Sequence, residues 1–290
     1  MATTTTTTTS PTPFVEGLID ELLAELPFSV RTDLLLNWAT IFSTEGYVSD
    51  PAIVEMIGTI TTLDFSGSRK INEQTFPTLI KYLPFTSSLA HLDLSRTKIG
   101  QSQTCIDTLA HPNFQHLVSL NLHNSRLKTI DPLLNAQHAF PKLHTLNLSG
   151  NLNLSVPTIS AATTQFPNLK VLDLSEVLSS FAIFRAFCGI TEPPAQPLPL
   201  QPIPTANIAP FQLEKLFLSG VRRGRDFFSD NAHFLARSPH LSQLKELYLK
   251  DSWLNCDDIT QLFHSGDSVL KNLTALSIRL GTRGADGLKP

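Results

Sequence analysis

Leu117-Val-Ser-Leu120-Asn-Leu122 is followed 26 residues later by Leu143-His-Thr-Leu146-Asn-Leu148, and after 26 more by Leu169-Lys-Val-Leu172-Asp-Leu174. The same six-residue phrase recurs on both sides of this stretch. Upstream stand Ile60-Thr-Thr-Leu63-Asp-Phe65 and Leu89-Ala-His-Leu92-Asp-Leu94. Downstream stand Leu213-Glu-Lys-Leu216-Phe-Leu218, Leu244-Lys-Glu-Leu247-Tyr-Leu249 and Leu273-Thr-Ala-Leu276-Ser-Ile278. From Leu63 the central leucines step by 29, 28, 26, 26, 44, 31 and 29 residues. Side chains alternate across a strand, so positions 4 and 6 of each phrase share one face and positions 3 and 5 the other. A strand this short cannot bury its apolar face alone, so the copies must stack and share one core. Eight parallel strands at a spacing of about 4.8 Å make a wall roughly 34 Å long.

An L-x-x-L-x-L core at a near-constant period resembles the leucine-rich repeat family, over about residues 59–290. The resemblance implies an α/β solenoid, a horseshoe with a parallel concave sheet and a helical convex face. Repeats of 26–31 residues are similar to the ribonuclease-inhibitor-like and cysteine-containing subclasses. Five residues past each central leucine the family places an inward Asn or Cys that bonds the turns of adjacent coils. Here that column reads Ser68, Thr97, Ser125, Asn151, Val177, Val221, Ser252 and Gly281. Asn151 matches the asparagine form. Val177 and Val221 carry no polar group, so this ladder is expected to weaken between repeats 5 and 6. Three-to-four apolar spacing predicts outer helices over 73–83, 104–110, 132–139, 179–187, 227–236 and 257–264. Phe140-Pro-Lys-Leu143 and Phe166-Pro-Asn-Leu169 mark the return into the next strand.

Outside the repeats the chain divides further. Residues 1–13 form a Thr-rich tail expected to be disordered. Residues 14–58 read as a helical cap over the first repeat, with Phe14, Leu18, Leu22, Leu34, Leu35, Trp38 and Ile53 on apolar faces. The period breaks at 191–210, where closely spaced prolines favour polyproline II and an extruded spacer. Gly284 to Pro290 is similar to the start of a further outer helix. Two expectations stay open there: a longer natural chain, or a last edge that a partner covers.

The net charge is −3, with 41% hydrophobic and 16% charged residues, so no large basic excess points to nucleic acid. Residues 1–58 hold one base and eight acids, against 21 bases and 17 acids in 59–290. The N-terminus lacks a basic, apolar leader, and no apolar run is long enough to span a bilayer. Cys105, Cys188 and Cys256 are odd in number and far apart, unlike the paired caps of secreted members of the resembled family. The three glycosylation sequons, at Asn147, Asn153 and Asn272, read as incidental. A cytoplasmic location is the expectation.

Constellations for catalysis, cofactors or metal are poor. His91, His123 and His144 lie on or beside the inner wall but in different columns. Arg222-Arg-Gly-Arg225 is offset by Asp226 and Asp230 and reads as a solvated loop. Strand position 5 is more informative: Asp64, Asp93, Asn121, Asn147, Asp173, Phe217, Tyr248 and Ser277. Five acceptors in file give way to two aromatics, and aromatics dominate interface hot spots. With His91 at position 3, this column is the expected partner-binding surface. The leading expectation is a non-catalytic scaffold that binds a protein partner on its concave face, with no cofactor, nucleic acid or membrane.

Two alternatives follow from resemblance. Leu26-Pro27 with Leu34-Leu-Leu36 is similar to an F-box opening, and Pro13-Phe14 with Leu18 and Leu22 to an elongin-binding box. Either implies a substrate receptor of a cullin-RING ubiquitin ligase. A GTPase-activating protein built on repeats, with Arg222 or Arg223 available, is the third reading.

Overall fold

The computed structural model describes residues 61–69, 71–73, 76, 77, 80, 89–136, 140–154, 166–177, 213–220, 232–238, 241–254, 256–263 and 269–280. Each quoted phrase supplies one strand: β1 Thr62–Asp64, β2 His91–Asp93, β3 Ser119–Asn121, β4 Thr145–Asn147, β5 Val171–Asp173, β6 Lys215–Phe217, β7 Glu246–Leu254 and β8 Ala275–Leu280. They form one eight-stranded sheet in sequence order, every pair parallel. Register is set by the leucines, with Leu63, Leu92, Leu120, Leu146, Leu172, Leu216, Leu247 and Leu276 opposite one another in a single file. A slip of one residue would turn that file to solvent, which is why the register holds across the sheet.

Seven of the eight central leucines are at most 2% exposed, but Leu276 is 37% exposed. Burial of the whole file was the expectation, and Leu276 departs from it for a plain reason. In a stacked array each repeat is covered by the next, and among the described residues β8 pairs on one side only, with β7.

Behind the sheet, residues three before the first leucine of a repeat form a second file. Phe114, Phe140 and Phe166 are fully buried, and Leu241 and Leu270 take the same place later. In each case the amide of that first leucine donates to this residue's carbonyl, at 3.0–3.2 Å. The rings of Phe140 and Phe166 lie 5.6 Å apart, and Phe76 stacks on Phe114 at 6.5 Å. Rings this size fill the wide space between sheet and outer wall that a leucine pair leaves open.

The outer wall holds α1 Gln103–Leu109, α2 Asp131–Leu134, α3 Ala232–Arg237 and α4 Cys256–Phe263. Helix α2 is shorter than the predicted 132–139. Asn135 leaves helical geometry at φ −97° and ψ 5°, and its amide returns to the Asp131 carbonyl. The predicted helix at 179–187, the 14–58 cap, the tail and the proline-rich insertion lie outside the described residues.

Turns out of the strands are shared too. The fourth residue past the central leucine is left-handed in seven repeats: Gly67, Arg96, Asn124, Gly150, Glu176, Gly220 and Asp251, with φ from 50° to 75°. Glycine and asparagine take that conformation readily, whereas arginine and glutamate are held there by the coil stack. The polar column one residue later works in part as the resemblance implies. Asn151 donates to the carbonyls of Leu122 and Leu148 at 2.8 and 2.7 Å and accepts from the Leu127 amide at 2.9 Å. Ser125 and Ser252 reach back one coil to Leu94 and Leu218 at 2.7 and 3.0 Å. Val177 is buried and brings no such bond. Instead, the Ser219 amide donates to the Ser175 hydroxyl at 3.1 Å, bridging repeats 5 and 6 from the other side of the turn.

Candidate functional site on the concave wall

Position 5 of successive strands runs as a register-paired row: Asp64, Asp93, Asn121, Asn147, Asp173, Phe217, Tyr248, Ser277. The structure therefore places all the position-5 candidates in one line on the sheet face opposite the buried leucines. His91 sits beside that line, exposed, at position 3 of β2. Phe217 and Tyr248 lie on adjacent strands with ring centroids 4.3 Å apart and planes 10° from parallel. Both are half-buried. They form one stacked platform, each ring hiding a face of the other from water.

The acceptor row has a local duty that its reading as a ligand surface missed. One side-chain oxygen of each of its five members accepts from the amide two residues on. Asp64 takes Ser66, Asp93 takes Ser95, Asn121 takes His123, Asn147 takes Ser149 and Asp173 takes Ser175, at 2.8–3.1 Å. These are Asx-turns that start the bend out of each strand. Asn121 also donates to the second oxygen of Asp93 at 2.7 Å, and Ser149 donates its hydroxyl to Asn147 at 2.6 Å. The signal was present in the sequence, where Asp or Asn is followed two residues later by a small polar residue or His123. Phe217 and Tyr248 stand where this acceptor would be, so their repeats make the bend without it.

Around the platform the charges are paired. Lys215 and Glu246, at position 3 of β6 and β7, form an ion pair at 2.8 Å, and the Tyr248 hydroxyl donates to the other Glu246 oxygen at 2.8 Å. One position earlier, Glu214 bridges Lys170 at 3.1 Å and Lys245 at 2.9 Å. The bond from Lys215, then that from Tyr248, holds the Glu246 carboxyl below the usual glutamate range. Lys245 and then Lys170 do the same for Glu214. The Glu246 carboxylate raises both Lys215 and Tyr248, since each must give up a proton it is donating. In the sequence this ladder shows as opposite charges at equal positions of successive repeats, Lys170, Glu214 and Lys245 at position 2 and Lys215 and Glu246 at position 3.

The histidines do not converge. His123 Nδ1 lies 2.8 Å from the Ser149 hydroxyl, His144 is half-buried and His91 exposed. Among the described residues no group of three His, Cys, Asp or Glu side chains is placed to hold a metal ion. Cys105 is buried in α1, where burial pushes its thiol up, against a weaker opposing bond from Ser102. Arg222 to Arg225 and the ligase-like segments at 13–36 lie outside the described residues. Among the described residues no helix is long and apolar enough to cross a membrane.

Eight in-phase signatures forming one in-register parallel sheet give this chain a leucine-rich repeat solenoid fold. No protein-family model matches the chain, and no curated protein matches it by sequence. Several solved structures align along most of the chain. An internalin C2 from Listeria monocytogenes aligns over 78% of this chain and 84% of its own, at 14% identity and a TM-score of 0.44. The leucine-rich repeat-containing protein LegL7 from Legionella pneumophila aligns over 79% and 87%, at 16% identity and a TM-score of 0.39. An internalin from Listeria monocytogenes covers 96% of this chain and 94% of its own, at 16% identity and a TM-score of 0.36.

Proposed function

We propose that the protein is a non-catalytic interaction scaffold whose concave wall holds an extended segment of a protein partner. The stacked Phe217–Tyr248 pair carries this reading. A leucine-rich repeat needs no aromatic on its solvent face, and repeats 1 to 5 place turn-forming acceptors at the same position. The pair offers a rigid apolar seat already ordered before binding, which lowers the entropic cost of association. Its surroundings fit a mixed ligand. Asp173 borders Phe217 on one side and keeps a second carboxylate oxygen beyond its turn bond, while Ser277 leaves low ground beside Tyr248. A partner segment with one apolar anchor and a neighbouring Lys or Arg suits that arrangement.

The test is affinity capture with the full chain, comparing wild type with Phe217→Ala, Tyr248→Ala and the α1 surface variant Asp107→Lys. The aromatic variants should each weaken the captured partner roughly tenfold or more, as truncated hot-spot aromatics do. The α1 variant should bind as wild type. Partners lost from the α1 variant and kept by both aromatic variants would move the functional surface to the convex side and overturn the proposal.

A further inference from the structure

Charges on this molecule follow two different rules. In repeats 5 to 7, opposite charges on adjacent coils meet in the Lys170–Glu214–Lys245 triad and the Lys215–Glu246 pair. In repeats 1 to 3, the first turns after β1, β2 and β3 carry bases, and the next acids are Glu73, Asp107 and Asp131 toward the outer wall. Residues 66–72, 95–101 and 123–130 contain no Asp or Glu. Arg69, Arg96, Lys98, Arg126 and Lys128 are all exposed on these loops, and none forms an ion pair with a described residue.

These loops form a fixed comb. The amides of Gly67, Arg96 and Asn124 each donate to a carbonyl of the next coil at 2.7 Å, and Gly100 donates to Ser125 at 3.0 Å. A methyl on Gly100 would lie 2.4 Å from Arg126 backbone, so the second and third loops are in direct contact. Like charges on touching coils repel, and the three stretches themselves hold no acid. In the fourth loop the file of bases ends at Leu152, whose side chain is 59% exposed, the most exposed large apolar group among the described residues.

We propose that this rim is a second docking surface, for an acidic peptide segment that ends in an apolar residue. Extended peptide places alternate side chains on one face about 6.6 Å apart, a spacing that long Lys and Arg stems on successive coils can meet. Leu152 supplies the apolar contact at the end of the row. Single-stranded nucleic acid fits less well, because such sites interleave cations with exposed aromatic platforms. Among the described residues these loops carry no aromatic but His123, and it is half-buried and bonded to Ser149. The inference is independent of the Phe217–Tyr248 platform.

The test uses the full chain and a fluorescent peptide with glutamate at alternate positions and a terminal leucine pair, read by anisotropy at low and physiological ionic strength. Lys98→Glu with Arg126→Glu should weaken binding roughly tenfold or more and flatten its salt dependence. Lys98→Gln with Arg126→Gln should act in the same direction, covering the case in which the reversed pair unfolds. Leu152→Ser should weaken binding severalfold at both ionic strengths, and Phe217→Ala should leave it unchanged. Three outcomes would overturn the proposal: no binding by wild type, equal binding by the charge variants, or tighter binding of a single-stranded oligonucleotide of equal charge that the same variants abolish.

Discussion

At residue scale, Asp173 shows how one side chain serves a turn and a surface at once. Its Oδ1 accepts the Ser175 amide at 2.9 Å, and its strand neighbour is Phe217. Asparagine preserves that acceptor and removes only the charge. Asp173→Asn should therefore leave stability almost unchanged, whereas Asp173→Ala, which leaves the half-buried amide without its partner, should cost about 1 kcal/mol. Denaturant midpoints of the two variants measure this directly. Equal losses in both would mean that the charge, not the bend, is what the position supplies. The same comparison in a binding assay separates the residue's two duties, since a partner's cation would feel the asparagine substitution.

At the scale of the element, strands β5 to β7 are tied by charge as well as by backbone. Glu214 and Glu246 both sit below the ordinary glutamate range, about 4.3. A carboxyl with a depressed folded pKa contributes stability above its unfolded value and loses it as the pH falls through the folded one. Lys215 and Tyr248 are shifted upward, so their contributions hold below their unfolded values and fade only in strong base. Stability from this ladder should be flat through neutral pH and decline on acidification below about pH 4.3. Glu246→Gln should make the acid limb shallower, which pH-dependent chemical denaturation would read. An acid limb identical to wild type would show that the exposed pair contributes nothing, as many surface pairs do.

For the whole molecule, stability is close to a sum over repeats and their interfaces. Leu146 is 1% exposed between two flanking coils, and Leu276 is 37% exposed in the last strand of the sheet. Leu146→Ala should cost about 2–5 kcal/mol, from lost transfer energy and the cavity left behind. Leu276→Ala should cost clearly less, because water already reaches the site. Equal costs would mean that the end of the sheet is covered in solution. The two proposed surfaces lie apart on this array, the aromatic platform at repeats 6 and 7 and the basic rim at repeats 1 to 3.

Much of this was legible in the chain itself. A period near 28 residues with leucine at positions 1, 4 and 6 dictates parallel strands in sequence order, because no other stacking buries every copy of the same face. That logic also placed Phe217 beside Tyr248 and lined up Asp64, Asp93, Asn121, Asn147 and Asp173. What it did not decide is what each side chain does once in line. Whether the rings splay or stack depends on χ angles fixed by neighbours, and the structure brings them to 4.3 Å. Whether an aspartate faces a ligand or its own turn depends on the bend after the strand, and the structure bends all five acceptors onto local amides. The exposure of Leu276 and the comb of touching basic loops are likewise properties of neighbouring coils. Periodicity sets which residues share a face, while contacts between coils of different sequence set how they are used.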